Sequence, residues 1–315
     1  METVLVTGAS GFVGGQLVSY LDKRNVSLKI LGRRDVHNGR YAFSSTCFLK
    51  EDSFYDALEG VNTVIHCAAR VHVMKETAAN PLEEFRAFNV DATLALARQA
   101  AESGVKRFIF LSTIKVNGES TTGAKPFSAF DKPHPMDPYG ISKAEAEAGI
   151  KSIAEQYGME FVIIRPPLVY GPGVKANFAA LMLLVNRKIP LPLRMIKSNR
   201  RSMVSVFNLV DLIVTCIEHP AAKNQVFLVS DGEDISTSEM VALMAKACGR
   251  ANFAFPLPPA VFQLLGIALN KSEVVDRLIG SLQLDIRHTK ESLSWAPPQT
   301  IQDGFAATSS WLQNS

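Results

Sequence analysis

The chain has 315 residues, of which 47% are hydrophobic, so it is long enough to bury the core of one large domain or two smaller ones. Its 33 basic and 30 acidic residues give a net charge of +3, which is too small to favour nucleic acid or an acidic membrane surface as a partner. The four cysteines form no CxxC pair and no apolar run reaches the length of a membrane span, so we expect a cytoplasmic protein without disulfides, zinc or a transmembrane helix.

The first half of the sequence alternates short β-branched runs with longer helical patterns. The predicted strands are apolar on both faces, as parallel strands covered by helices are: Thr3–Thr7, Ser27–Leu31, Thr46–Leu49, Thr63–Cys67, Arg107–Ser112 and Phe161–Arg165. The helices predicted among them are Phe12–Lys23, Phe54–Leu58, Pro81–Ser103 and Pro138–Tyr157. This alternation predicts an α/β fold with a doubly wound parallel sheet of the Rossmann type.

After Pro172 the rhythm changes, because prolines and glycines become frequent and helical patterns dominate. The elements predicted there are helices at Asn208–His219, Thr237–Cys248, Asp276–Leu284 and Thr300–Leu312 and a strand at Gln225–Ser230. The sequence thus predicts a dinucleotide-binding domain over residues 1–172 and a smaller, mainly helical substrate-binding lobe over residues 173–315. We expect residues 208–230 to pack back on the first domain.

A glycine-rich turn joins the first predicted strand to the first predicted helix. Gly8 permits a tight turn, Gly11 lets the backbone approach a diphosphate, and Gly14 lets the helix pack closely on the strand. The start of the helix offers unpaired N–H groups and a positive dipole end to phosphates. The spacing is GxxGxxG rather than GxGxxG, and an ordinary βα turn that uses glycine is the alternative. The cofactor-binding residues predicted in this turn are Gly8, Ser10, Gly11, Phe12, Val13 and Gly14.

The residues after the second strand bear on the choice between NAD and NADP. An acidic residue there would bind the ribose hydroxyl of NAD, whereas this sequence has Arg33 and Arg34, followed by Asp35. Guanidinium groups suit the 2′-phosphate of NADP, so the sequence favours NADP(H) over NAD(H). The alternative is that both arginines are solvated loop residues.

Tyr139 and Lys143 stand at positions i and i+4 of a predicted helix and therefore share one face. An ammonium group near a phenol lowers the pKa of the phenol and makes proton exchange with a sugar hydroxyl feasible near neutral pH. The pattern YxxxK is common, and a surface tyrosine beside a lysine is the alternative. The pair follows the fifth predicted strand, whose end carries Thr113, a hydroxyl that can orient a substrate oxygen. We therefore predict that Tyr139, Lys143 and Thr113 are catalytic, with Lys143 also contacting the nicotinamide ribose.

Together these motifs resemble the extended short-chain dehydrogenase/reductases, and within them the NAD-dependent epimerase/dehydratase group that acts on nucleotide sugars. The likeness runs from Thr3 to about Ala296. Its motifs are Thr7-Gly8-x-x-Gly11-x-x-Gly14, His66-Cys67-Ala68-Ala69, Asn89-Val90, Ser112-Thr113, Tyr139-x-x-x-Lys143 and Arg165-Pro166-Pro167-x-x-Tyr170-Gly171-Pro172. The resemblance implies cofactor contacts at Ala68, Ala69 and Pro166. It implies contacts to the diphosphate of a UDP-sugar at Asn177, Arg201 and Arg277, and a homodimer built on helices like Pro81–Ser103 and Pro138–Tyr157.

Three stretches, residues 69–74, 114–119 and 172–178, look like bacterial 4-ketoreductases of surface-polysaccharide (O-antigen) synthesis. Two departures from the family pattern stand beside them. The acidic adenine contact expected after the third strand is replaced by residues 49–52, which makes Asp52 a doubtful ligand. Lys115 stands where many 4-epimerases are rich in serine, and it either contacts the substrate or is solvated.

The main hypothesis is therefore an NAD(P)-dependent enzyme that reduces C4 of a UDP-2-acetamido-2,6-dideoxy-4-hexulose. The first alternative is a UDP-sugar 4-epimerase with tightly held NAD, which would use the same residues and turn over without added cofactor; Arg33 and Arg34 oppose it. The second is a non-catalytic NADP-binding regulatory protein, which the retained Tyr139 and Lys143 oppose. No nucleic acid, membrane or metal is predicted as a partner.

Overall fold

The computed structural model describes residues 2–49, 52–71, 80–270 and 272–314. Its strands are β1 (Thr3–Thr7), β2 (Ser27–Gly32), β3 (Ala42–Ser45), β4 (Thr63–His66), β5 (Arg107–Leu111), β6 (Glu160–Arg165), β7 (Leu168–Tyr170), β8 (Arg201–Ser205), β9 (Gln225–Leu228) and β10 (Asp234–Ile235). Its α-helices are α1 (Phe12–Asp22), α2 (Tyr55–Leu58), α3 (Pro81–Arg86), α4 (Ala92–Glu102), α5 (Pro138–Tyr157), α6 (Ala176–Asn186), α7 (Val206–Glu218), α8 (Thr237–Ala247), α9 (Pro259–Ala268), α10 (Ser272–Ile279), α11 (Arg287–Leu293) and α12 (Ile301–Asn314).

Seven strands form one parallel sheet in the order β3-β2-β1-β4-β5-β6-β9, which confirms the predicted doubly wound sheet. Strand β1 lies inside it, because Val4 pairs with Leu28 of β2 on one side and with Thr63 of β4 on the other. The strand order reverses between β1 and β4. In such sheets ligands bind beyond the carboxyl ends of the strands at this switch point, and the glycine turn after β1 lies there.

Helices bury both faces of the sheet, because successive side chains of a strand point to opposite sides. Val4 and Val6 pack in one core with α1 and α7, whereas Leu5 packs in a second core with α2, α4 and α5. Helix α1 shows how the sequence fits this arrangement, since its buried residues recur at helical spacing: Gly14, Leu17, Val18 and Leu21.

The predicted helix Pro81–Ser103 is one helical run interrupted by a π-helical turn. It begins with proline at its first position, where the missing N–H is no loss. Helix α3 then continues through the π-turn Ala87–Asp91 into α4. The π-turn buries Asn89 and Val90, and such turns are frequent at functional sites.

The C-terminal part has a core and a small sheet of its own. The sheet has the strand order β10-β8-β7, and Tyr170, Phe178 and Phe305 pack together with ring centroids 5.0–5.5 Å apart. Two elements that follow β8 in the chain are associated with the larger sheet instead: a helix that covers it and a strand that extends it. Helix α7 packs on α1, and β9 pairs with β6 as the last strand of the seven.

The third predicted strand is wrong in position. Strand β3 occupies Ala42–Ser45, and the predicted segment Thr46–Leu49 is irregular backbone instead. The Thr46 hydroxyl donates to the Asp52 carboxylate at 2.6 Å, and Phe48 has a φ of 57°, which strand backbone does not adopt. Local side-chain hydrogen bonding therefore outcompetes strand pairing here.

The predicted helix Asp276–Leu284 is wrong over its second half. Helix α10 ends at Ile279, and Leu282 and Leu284 instead form isolated parallel bridges with Arg201 and Phe127. Apart from β3, the strands and α-helices of the described residues that were not predicted lie after residue 167: β7, β8, β10, α6, α9 and α11. Among the described residues, no helix has both the length and the apolar character needed to cross a bilayer.

Candidate active site

The glycine turn after β1 is as tight as its sequence predicts. Gly8 has a φ of 71°, and a Cβ placed on it would lie 2.7 Å from the Ala68 backbone N. A Cβ on Gly14 would lie 2.2 Å from the Gly8 carbonyl oxygen, so only glycine lets α1 approach β1 this closely. Helix α1 starts after Gly11 with no acidic residue in its first turn, which leaves its N–H groups and dipole available to an anion.

A cavity of about 170 Å³ opens at this turn. Seven of the predicted cofactor residues line it: Gly8, Ser10, Gly11, Arg33, Arg34, Ala68 and Ala69. Sequence reasoning missed the others, which are Ala9, Ile30, Gly32, Phe48, Cys67 and Phe88. Burial raises the pKa of the Cys67 thiol to about 12, so it stays protonated.

The remaining predicted cofactor residues lie outside this lining. Phe12 and Val13 start α1 and are half-buried, and Phe12 packs close to Gly173. The Pro166 carbonyl accepts the Ile114 N–H at 2.9 Å and so ties the end of β6 to the turn after β5. Their placement supports the turn and the strand ends rather than the cavity wall.

Arg33 and Arg34 are exposed at the rim of the cavity, directly after β2 ends at Gly32. The nearby carboxylate of Asp35 is turned to its own loop, where it accepts the N–H groups of His37 and Gly39 at 2.8 and 2.7 Å. The charge at this rim is therefore positive.

Asp137 caps helix α5, since its Oδ1 accepts the Gly140 N–H at 2.7 Å. The two predicted catalytic residues follow Asp137 by two and six residues on this helix. Tyr139 is half-buried, with its ring edge against Phe85 at 6.0 Å between centroids. Lys143 is buried, and its Nζ lies 4.1 Å from the centroid of Phe110.

The electrostatics of this pair differ from the expectation. Burial raises the pKa of Tyr139, and the Asp137 carboxylate raises it further, so the predicted lowering by Lys143 does not prevail. Burial lowers the pKa of Lys143 to about 7, although the carboxylate of Glu147 opposes this shift. Both groups are thereby held in their uncharged forms more strongly than in water.

Thr113 stands at the end of β5 as the cap of a short 3₁₀ turn, Ile114–Val116, and its half-buried hydroxyl accepts the Lys115 N–H at 3.4 Å. The neighbouring hydroxyl of Ser112 is already used, because it donates to Glu147 at 2.5 Å. The 3₁₀ turn packs on the start of α5, so the structure brings Thr113 into the same region as Tyr139 and Lys143.

A buried ion pair that sequence reasoning missed supports this region. Glu147 accepts from Arg165 Nε at 2.9 Å and from Nη2 at 2.5 Å, and both side chains are almost fully buried. Arg165 also donates to Asn117 at 2.8 Å. Glu147 follows Lys143 by four residues and Tyr139 by eight, so the YxxxKxxxE spacing is the signal that could have found it.

Asn89 of the π-turn is a second residue whose role was not predicted. Its amide Nδ2 donates to Ser142 Oγ at 3.1 Å and to the Arg70 carbonyl at 3.0 Å, and its Oδ1 accepts the Arg70 N–H at 2.8 Å. Asn89 thus holds α5 against the loop after β4. Residues 72–74, which belong to the stretch 69–74 that resembles 4-ketoreductases, lie outside the described residues.

A larger cavity of about 860 Å³ lies beside the start of α5. Arg201 and Arg277, two of the predicted diphosphate contacts, line it, whereas the third, Asn177, is exposed on α6 and is not part of the lining. Arg201 donates to the carbonyls of Arg277 and Gly280 at 2.9 and 3.1 Å, and its pKa is lowered by burial and by Arg277. Two guanidinium groups at one wall suit an anionic substrate group.

The two residues that depart from the family pattern have structural partners. Asp52 accepts the Thr46 hydroxyl and the Leu49 N–H at 2.6 and 3.1 Å, so it closes its own loop. Residues 50 and 51 lie outside the described residues. Lys115 forms ion pairs with Glu119 and Asp137, so it is not simply solvated.

The sequence of the chain also matches known proteins. Residues 4–230 match the model of the NAD dependent epimerase/dehydratase family. The chain is 50% identical over 309 residues to a UDP-glucose 4-epimerase of Vibrio cholerae, and the match covers 98% of this chain and 94% of the relative.

Solved structures show the same fold at lower identity. The UDP-glucose 4-epimerase of Thermotoga maritima, solved with UDP-glucose, superposes with a TM-score of 0.79 at 22% identity over 99% of both chains. The UDP-glucuronic acid 4-epimerase of Bacillus cereus, solved with NAD, gives a TM-score of 0.79 at 19% identity over 99% of both chains. Since the family model spans most of the sequence, the chain belongs to the NAD dependent epimerase/dehydratase family and is an NAD-dependent enzyme of the short-chain dehydrogenase/reductase type.

Proposed function

We propose that the chain is a UDP-hexose 4-epimerase that works with a bound NAD. The observation that carries this proposal is the 50% identity to the Vibrio cholerae UDP-glucose 4-epimerase over nearly the whole of both chains. The position of Tyr139, Lys143 and Thr113 at the switch-point side of the sheet agrees with it. This reading replaces the 4-ketoreductase as the main hypothesis.

The glycine turn fits a dinucleotide. The lack of a side chain lets Gly8 lie against the backbone of Cys67 and Ala68, and it lets Gly14 of α1 lie against the Gly8 carbonyl after β1. Gly11 and the N–H groups at the start of α1 would hold the diphosphate. Lys143 would hold the nicotinamide ribose. When bound, NAD supplies the hydride acceptor and donor for C4 of the sugar.

The protein's own residues would handle the proton and the position of the sugar. As the phenolate, Tyr139 would take the proton from the 4-hydroxyl, and as the resulting phenol it would return that proton to the same oxygen after the sugar has presented its other face. Thr113 donates a hydrogen bond to that oxygen and fixes its distance from Tyr139. Arg201 and Arg277 bind the diphosphate and leave the sugar free to turn.

The decisive test follows interconversion of UDP-glucose and UDP-galactose, and of their N-acetyl forms, by purified protein without added cofactor. We expect turnover that Tyr139→Phe lowers by at least about a hundredfold, as the loss of a general acid/base does, with NAD binding retained. Turnover by the wild type that survives in Tyr139→Phe would contradict the assignment of Tyr139.

A second candidate is the NADPH-dependent reduction of a UDP-4-keto-sugar, which the positive rim at Arg33 and Arg34 favours. Consumption of NADPH with a UDP-2-acetamido-2,6-dideoxy-4-hexulose, together with no epimerase turnover, would support it. Replacing both arginines with serine should then weaken NADPH binding far more than NADH binding.

We further propose that the chain forms a homodimer through the α3–α4 run and α5, and that residues 1–172 and 173–315 divide its cofactor and substrate roles. Light scattering after size-exclusion chromatography measures the oligomeric state. A monomer at micromolar concentration would contradict it.

A further inference from the structure

Lys115 lies between two carboxylates of the wall of the larger cavity. Its Nζ is 2.5 Å from Asp137 Oδ2 and 2.9 Å from Glu119 Oε1, and all three side chains are only about a quarter exposed. Asp137 and Glu119 both line the cavity. The ammonium group therefore neutralises negative charge where the substrate-side cavity meets the start of α5.

Asp137 serves the helix with its other oxygen. Oδ1 accepts the Gly140 N–H at 2.7 Å, while Oδ2 receives Lys115, so one carboxylate joins the helix N-terminus to the 3₁₀ turn after β5. The joint is tight, because a Cβ on Gly140 would lie 3.0 Å from Asp137 Oδ1 and 3.1 Å from the Lys115 carbonyl oxygen. Tyr139 lies inside this joint, one residue before Gly140.

The charged groups around Tyr139 show what Lys115 changes. The Asp137 carboxylate disfavours the phenolate, and Lys115 is the cation bound directly to that carboxylate. On α5 itself, Lys143 and Glu147 lie one and two turns further along. The loop packed against the 3₁₀ turn contributes two further groups. Glu119 forms the second ion pair of Lys115. His134 lines the same cavity and donates its backbone N–H to the Val116 carbonyl at 2.8 Å.

We propose that Lys115 is a positioning residue, which fixes the capping carboxylate of α5 and offsets its charge, and so holds Tyr139 in the orientation and charge environment that proton exchange requires. The proposal rests on the proposed function, because epimerase turnover is its readout. It gives Lys115 a role through Asp137 rather than through the substrate.

The test compares Lys115→Met, Lys115→Arg and Asp137→Asn with the wild type in the presence of saturating NAD. In Lys115→Met we expect kcat to fall about tenfold while KM for UDP-galactose changes less than about twofold, since orientation and not binding is lost. The acid limb of the kcat–pH profile should move to higher pH, because the Asp137 charge is no longer offset. Lys115→Arg should restore most of kcat.

Asp137→Asn separates the two parts of the role. Asparagine is as good a helix cap as aspartate, so the helix start should persist while the negative charge disappears. The acid limb should therefore move to lower pH in Asp137→Asn. In the double variant Lys115→Met/Asp137→Asn it should lie between the limbs of the two single variants, because the charges of Lys115 and Asp137 act on the Tyr139 phenolate additively. Lys125→Met, a change to an exposed lysine of the same loop, serves as the matched control and should match the wild type.

Three results would overturn the proposal. The first is an unchanged kcat and pH profile in Lys115→Met. The second is a rise in KM with kcat intact, which would make Lys115 a substrate contact. The third is an Asp137→Asn profile that does not move, which decides the question even where Lys115→Met fails to fold. Failure of the proposed function is distinct, since the wild type itself would then show no 4-epimerase turnover.

Discussion

Replacing Glu147 with glutamine tests the buried ion pair that supports the catalytic helix. Glu147 and Arg165 have side chains that are 3% and 2% exposed, and they share two hydrogen bonds of 2.9 and 2.5 Å. Glutamine keeps the shape and one acceptor oxygen, but it removes the charge that compensates the guanidinium group. Arg165 would keep its bond to Asn117 and one hydrogen bond to the glutamine oxygen, but no negative charge in this pair would offset its burial.

The size of the effect follows from that geometry. Breaking a buried pair by removing one partner costs about 3–5 kcal/mol, because the other charge stays buried. Glutamine still accepts one hydrogen bond from Arg165, so we expect the lower end, about 3 kcal/mol of unfolding free energy. For a cooperative unit of 315 residues that corresponds to a fall in Tm of about 4–5 °C.

Urea unfolding and thermal scans at pH 7.5 measure this change. The matched control is Asp22→Asn, which also turns a carboxylate into an amide in an ion pair of 2.6 Å, with Arg40, but with side chains that are 28% and 65% exposed. Exposed pairs contribute about 0.2–1 kcal/mol, so the control should lose at most that much. If Glu147→Gln loses no more than Asp22→Asn, the reasoning from burial is wrong.

Two further predictions concern the cofactor turn and the catalytic lysine. Gly14→Ala should abolish NAD binding in calorimetric titration and destabilise the fold by about 1–3 kcal/mol, because its Cβ would lie 2.2 Å from the Gly8 carbonyl oxygen. Gly15→Ala is the control, with a Cβ 3.3 Å from the Ala9 carbonyl oxygen, and equal binding by the two variants would contradict the prediction. For Lys143, the pKa of about 7 in the fold against 10.5 in the unfolded chain means that the folded state binds fewer protons between these values, so unfolding free energy rises with pH across this window. Lys143→Met should flatten that rise in urea unfolding curves from pH 7 to 9.5, and an identical slope in both proteins would refute it.

The first half of the fold could be predicted because its signals are local. Strands apolar on both faces and helices with a buried stripe repeat in a regular order, and α5 spans Pro138–Tyr157 as predicted because proline marks its first position and Gly158 its end. The glycine turn is equally local, since the close contact at Gly14 depends on neighbouring residues.

The second half resisted prediction because its elements depend on distant partners. Strand β7 has three residues and β10 two, and each exists only because β8 pairs with it. Helix α6 is apolar on nearly all sides, so it shows no periodicity that would separate it from a strand. The strand predicted at Thr46–Leu49 failed for the opposite reason, since a local hydroxyl–carboxylate bond prevailed over sheet pairing.

Within the site, residue types were predictable but their electrostatics were not. The sequence places Tyr139 and Lys143 on one helix face, yet it does not say how deeply either is buried, and burial sets the direction of both pKa shifts. The partner of Lys115 is 22 residues away in the chain, so its ion pair with Asp137 required the fold.

The return of β9 to the edge of β6 has a consequence for how the molecule can come apart. The chain leaves the large sheet after β6, adds β7 and β8 to the small one, and comes back through α7 and β9 before it leaves again. Cleavage of the chain at position 172 would therefore separate β9 from β6 in the large sheet and β7 from β8 in the small sheet. Such a cut would leave the backbone of β6 as an open edge and uncover the side of the sheet that α7 protects. We therefore expect the chain to unfold as one cooperative unit, and neither half to be obtainable as a folded fragment.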